Sequence, residues 1–566
     1  MTRSAGFFVC GLLGVSLLLH ACSSAGGGSG GLGGGGFGGT STGATGGINV
    51  GGSGGIQLDG GGGTGGKFVG DPKTCAQAAE AKTYIGCDFW PTPVTNHVWS
   101  LFDFAVVVAN AGDQTADVSV ERGGAPVTSG SVPPNSLTKL YLPWVPALKG
   151  QDFSSCGEWT AGTSTIRAAD GAYHLTSSVP VTVYQFNALE YQGAGGPPGK
   201  NWAACPGNQT CSLTLSPIGC YSFSNDASLL LPSTALTGNY RITTMSGWSD
   251  AGGIPVNTPA YFAVTGTADN TNVTVKVSST GAVAAGGGVQ ATSAGGVLTF
   301  PLNKGEVVEV VGTATTDLSG SLVQASAPVQ VLSGMPCVYL PFDKNACDHI
   351  EESVFPAETW GKRYFVVPPT GPKGDVPGHL VKIYGNVDGT VLSYPSGAPA
   401  SAPTQINAGQ VVDLGVVKQA FEVVSNDHEF AVATFQMGAS VVDPGTAPPN
   451  QKGDPAQSQA TAVEQYRTKY VFLTPDDYDV SYADIVMPDG TNVVLDGAAL
   501  SAPTTSLGNG YSVARAQLGA GQGGAHLLTS DKPVGLQVQG YGSYTSYQYP
   551  GGLNLTLIAP PPPPIK

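Results

Sequence analysis

The chain has 566 residues, 83 of them glycine; 11% are charged and the net charge is −15. That length is too great for one hydrophobic core and predicts about three to five domains. The acidic balance argues against a nucleic-acid partner, which needs a cationic face, and against electrostatic adsorption to anionic lipid.

Residues 1–21 read as a signal peptide, in which Arg3 precedes an apolar run from Phe7 to Leu19 that is too short for a permanent membrane span. The run ends in Leu19-His20-Ala21-Cys22, which resembles the lipobox of bacterial lipoproteins with Cys22 as the lipidation site. Residues 22–70 read as a tether. Positions 26–66 hold 24 glycines, and such a tract is a flexible coil with a reach of about 35 Å. Ser23 and Ser24 do not resemble an inner-membrane retention signal. The expected location is the bacterial outer membrane, surface-exposed, with the membrane touched through the lipid anchor only.

Eight cysteines remain in the body, an even number in an oxidising compartment, so disulfides are expected. Close spacing pairs Cys75 with Cys87 and Cys337 with Cys347. Among Cys156, Cys205, Cys211 and Cys220 the sequence leaves the pairing open.

From residue 71 onward, apolar residues alternate in short runs such as Asn272–Val277 and Gln410–Leu414, the period of half-buried strands. No long amphipathic helix is expected, and short helical turns are expected near 76–84 and 460–468. Three landmarks recur in order. One is a Pro-Val-x-Val or similar step after a serine, at Pro180, Pro328 and Pro533, with a degenerate copy at 426–432. Another is a strand-borne tyrosine at Tyr240, Tyr364 and Tyr470. The last is a turn and strand around Thr271, Thr390 and Thr491. Their spacing of roughly 100 residues is that of one β-sandwich with six or seven strands. The expectation is an all-β fold of tandem β-sandwich-like repeats, the alternative being one large multi-sheet or propeller-like β domain. The expected units are 71–222, 223–345, 346–445 and 446–558, with 559–566 as a stiff Pro-rich, solvated tail.

The stretch Cys347-Asp348-His349-Ile350-Glu351-Glu352, continuing through Phe355-Pro356, Trp360-Gly361 and Tyr364-Phe365-Val366-Val367-Pro368, resembles the IgGFc-binding protein N-terminal domain family. Asn225–Pro232 and Asp531–Gly542 are similar to bacterial members. The family takes its name from mammalian mucus proteins that bind the Fc part of immunoglobulin G. Here Gly453-Asp454-Pro455 is followed by Ala456, so the self-cleavage motif of the mammalian proteins is incomplete. The resemblance implies a domain type rather than an immunoglobulin ligand.

The six histidines of the body, His97, His174, His349, His379, His428 and His526, form no HExxH motif, and the body has no GxSxG elbow. Asp348-His349 with Glu351-Glu352 is the densest polar group. It reads as a structural loop before a metal or acid/base site, and no metal or cofactor is expected. Asp476-Asp477-Tyr478-Asp479 reads as a solvated turn before a calcium site. Tyr541, Tyr544 and Tyr547, with Trp144 and Trp248, are the candidate binding aromatics, weighed against a terminal strand pair with buried rings. The expected function is a noncatalytic surface protein that binds an extracellular protein or glycan. The alternative is a secreted carbohydrate-active or other hydrolase whose carboxylates are dispersed in sequence.

Overall fold

The computed structural model describes residues 70–212, 215–249, 257–344, 347–447, 450–519, 521 and 524–566. The expected signal peptide, Cys22 and all of the tether but Gly70 lie outside the described residues.

The body is all-β and consists of four successive sandwiches. Each has at least eight strand segments in one order. In every sandwich the fourth, third, sixth and first segments make an outer sheet. The fifth, second, seventh and eighth make an inner one. The two sheets differ in patterning because they differ in surroundings. Third strands such as Ala116–Arg122 and Thr271–Lys276 alternate buried and exposed, with one face on the core and one in water. Second strands such as Phe104–Asn110, Tyr261–Gly266 and His379–Gly385 are buried along their whole length, on both faces.

The recurring landmarks are the joints of this plan. At Pro180 and Pro533 a single strand, His174–Asn187 or Ala525–Gly542, leaves the outer sheet and enters the inner one. Pro328 stands at the same step between Leu322–Ala325 and Val329–Val338. Proline suits that step because it donates no ladder hydrogen bond. The threonines close the hairpin from second to third strand: the Thr271, Thr390 and Thr491 hydroxyls donate to the carbonyls of Ala268, Val387 and Pro488 at 2.8, 2.8 and 2.6 Å.

The eighth strands are Ala227–Leu230, Asp348–Ser353, Gln457–Gln459 and Thr545–Pro550. The first three pair with the seventh strand of the sandwich before them. By hydrogen bonding these strands belong with the sandwiches they close, beyond the expected boundaries at 222/223, 345/346 and 445/446. The four eighth strands also lie against one another in a closed cycle, each touching the next and the last returning to the first. The sandwiches are thus arrayed around a common axis. One continuous apolar core runs from Tyr84 to Leu555 through all of them, beside a core of the first sandwich that reaches Tyr261, Val307 and Leu332 of the second, and further cores in the second and third.

Further ties cross the joints. Ile166–Ala168, from the first sandwich, extends the inner sheet of the second beside Val307–Val311. Four disulfides join Cys75–Cys87, Cys156–Cys211, Cys205–Cys220 and Cys337–Cys347. Helical turns occur at Cys75–Ala81 and Val463–Gln465. No helix among the described residues is long and apolar enough to cross a membrane. The Pro-rich tail is docked rather than free: Gln324 Nε2 donates to the Pro562 carbonyl at 3.3 Å, and Ile565 N donates to Gln324 Oε1 at 2.7 Å.

Candidate functional site

The densest titratable cluster lies where the four eighth strands meet. Asp226 immediately precedes the first of them, so its carboxylate sits on the axis. It accepts one backbone N–H from each eighth strand: Ala227 at 2.9 Å and Gln548 at 3.2 Å on Oδ1, Glu351 at 3.0 Å and Gln457 at 2.8 Å on Oδ2. Central strands brought end to side leave such N–H groups without ladder partners, and one carboxylate satisfies all four.

Around it, Asp348 accepts from Asn225 N at 2.7 Å and the Thr545 hydroxyl at 3.1 Å. Glu351 takes the Ser228 hydroxyl at 2.9 Å, Gln185 Nε2 at 3.2 Å and Asn187 Nδ2. Glu352 takes Ser353 N at 2.8 Å. Asp454 packs nearby, with Ser546 bridging its N–H and carbonyl. All five carboxylates and His349 are buried. Burial holds the carboxyls of Asp226, Asp348, Glu352 and Asp454 well above the usual carboxylate range. No lysine or arginine offsets them through a salt bridge among the described residues; only His349 faces Glu351, at 3.5 Å.

The arrangement binds backbone. Its five carboxylate residues are at most 1% exposed, and among the described residues no three of His, Cys, Asp and Glu are grouped to hold a metal ion. Through these bonds the Asp348–Glu352 group ties neighbouring strands together, and His349 Nε2 faces Glu351 while its Nδ1 has no hydrogen-bond partner. Sequence reasoning missed Asp226 as the centre of this hub and Asp454 as a member. The one available signal was the Asn225-Asp226 pair ahead of an apolar strand.

Of the candidate binding aromatics, Tyr541, Tyr547, Trp144 and Trp248 are buried and Tyr544 is half-buried. Tyr541 is buried, and its hydroxyl donates to the Thr370 carbonyl at 2.7 Å. Tyr547 is buried with its hydroxyl 2.9 Å from that of Ser481. Tyr544 is half-buried, and its hydroxyl donates to Gln451 Oε1 at 3.2 Å. Trp144 Nε1 donates to the Phe102 carbonyl at 2.7 Å from a buried position. Trp248 is buried 4.2 Å from the Tyr339 ring. Tyr547 and Trp248 pack in the common core and Trp144 in that of the first sandwich, and the polar tips of Tyr541, Tyr544, Tyr547 and Trp144 find internal partners.

The residue pattern recurs in known proteins. Residues 226–540 match a family model described as IgGFc binding protein. Among curated proteins, the IgGFc-binding protein of Homo sapiens is 33% identical over 141 residues, which are 25% of this chain. That alignment covers 2% of the human protein. No solved structure matches the chain.

Proposed function

Because the chain belongs to the IgGFc binding protein family, we propose that it is a noncatalytic binding protein, held at the cell surface, that engages an extracellular protein or glycan through its outer sheets. The observation that carries this reading is a repeated exposed valine on the outer sheets. Each sandwich presents one on its third or fourth strand: Val127, Val297, Val391 and Val494. Four similar faces around one axis add avidity even where each contact is weak. The densest carboxylate cluster, by contrast, is consumed in holding strands together.

The surface location rests on Leu19-His20-Ala21-Cys22 and the glycine tract as a lipid anchor and tether, and four disulfides suit an exported chain. Purified residues 71–558 should bind immobilised immunoglobulin Fc or an extracellular polysaccharide, and V127S, V297S, V391S and V494S should weaken retention step by step. Turnover of a glycan or ester that a single Asp, Glu or Ser substitution abolishes would defeat the reading.

A further inference from the structure

In the first sandwich, three titratable side chains from distant parts of the chain converge beside the second strand. Asp103 directly precedes Phe104–Asn110, Glu190 follows the seventh strand, and Lys200 belongs to the long loop that leads to the eighth. Lys200 Nζ is in contact with Asp103 Oδ2 and also donates to the Leu101 carbonyl. Glu190 Oε2 accepts the Asp103 N–H at 3.2 Å, while its buried Oε1 has no hydrogen-bond partner.

The surroundings are largely apolar and closely packed. The Trp202 ring lies 5.0 Å from Lys200 Nζ and 5.0 Å from the Phe102 ring. Gly196, at φ +76°, closes the group so tightly that a Cβ there would stand 2.6 Å from Glu190 Oε1 and 3.2 Å from Lys200 Cδ. Only 9% of the Lys200 side chain and 19% of the Asp103 side chain are exposed. An amine, a carboxyl carbon and a second carboxyl with a free oxygen are therefore held together with little bulk water. Such enclosure removes the usual excess of water that drives an amide back to its acid and amine.

We propose that Lys200 Nζ and Asp103 Cγ are joined by an intramolecular isopeptide bond, with Glu190 as the proton carrier. The lysine ammonium gives a proton to Glu190, and the freed nitrogen lone pair attacks Asp103 Cγ. The tetrahedral adduct collapses with cleavage of one Cγ–O bond, and the amide nitrogen keeps one hydrogen. Both protons lost from nitrogen leave with the departing oxygen as water, one of them returned by Glu190. An ammonium and a carboxylate become an amide and one water, so no oxidant or cofactor enters. Burial, and next the charge of Asp103, push the Glu190 carboxyl up to about 7, so it exchanges protons near neutrality. Burial likewise raises the Asp103 carboxyl, which favours passage of the proton taken from Lys200 on from Glu190 to the Asp103 oxygen that departs. The product would fasten the loop bearing Cys205 and Cys220 to the second strand.

Mass spectrometry of the full chain, purified and then digested, tests this. The expected result is one branched peptide carrying both Asp103 and Lys200, lighter by one water than its two parts. K200R keeps the ion pair but has no amine able to form the bond, so its intact mass should lack the water loss. E190Q, nearly isosteric, should give mostly unlinked chain while keeping its melting transition. Recovery of Asp103 and Lys200 from the folded wild-type protein only in separate, unmodified peptides would overturn the proposal, whatever the variants do. Undiminished crosslink in E190Q would overturn the role of Glu190.

Discussion

The hydroxyl of Tyr240 donates a 2.6 Å hydrogen bond to the carbonyl of Val329 and accepts the Thr237 N–H at 3.2 Å. Tyr364 repeats this with Phe430 at 2.7 Å and Gly361 N at 3.0 Å, and Tyr470 repeats it with Val534 and Arg467 N. Each tyrosine sits on the first strand of its sandwich, Asn239–Arg241, Arg363–Val366 or Arg467–Leu473, and clamps the residue with which the chain enters the inner sheet. Two of the recurring sequence landmarks are thus the two ends of one hydrogen bond.

Tyr364→Phe keeps the ring but strands a buried carbonyl and an N–H. It should cost about 1–3 kcal/mol of unfolding free energy. Urea denaturation checks this, and an unchanged midpoint would remove the clamp from the account.

Asp226→Ala leaves four N–H groups of the hub without an acceptor, and the expected loss exceeds about 3 kcal/mol. Asp226→Asn retains one acceptor oxygen and turns a donor toward the other pair, so it should fall between. Limited proteolysis should show cleavage near the joints at 231–238, 354–362 and 460–466. Wild-type resistance in both variants would contradict the four-strand convergence.

Glu309 receives the Thr95 N–H at 3.1 Å, and burial pushes its carboxyl up to about 7. The folded chain holds this proton more tightly than the unfolded chain does. Its contribution to stability is complete below the ordinary glutamate value, about 4.3, and lost as pH rises to about 7. Asp226, Asp348, Glu352 and Asp454 shift in the same direction and add to the loss. Unfolding midpoints should therefore fall as pH rises over that range, and Glu309→Gln should shallow the slope. A flat wild-type profile would contradict the burial of these carboxyls.

Cys205 and Cys220 enclose a separation of 15 residues. Replacing both with serine should cost about 3 kcal/mol in the entropic account of loop closure. Thermal melts under non-reducing conditions would show it; a melt matching the wild type would mean the loop is held by other ties.

For the anchor proposed above, Cys22→Ala should move the protein from the detergent phase to the aqueous phase in a partition assay. Full retention in detergent would end the lipoprotein reading.

Much of the architecture is written locally. Alternation in Thr271–Lys276 and unbroken apolar runs in Phe104–Asn110 reflect one watered face or none, and a strand's period of two makes that visible in a single segment. Proline at a sheet crossing and threonine at a hairpin act within a few residues, so Pro328 and Thr271 were legible as repeats. The hub was not. The donors to Asp226 come from residues 1, 125, 231 and 322 positions away, and no short pattern encodes contacts at such separations. The same reason left Tyr541 and Tyr547 open between a binding face and a buried strand pair. A tyrosine suits a wet surface or a core with a polar partner equally well. Only the packing of the inner sheets around a common axis assigns these rings to the core.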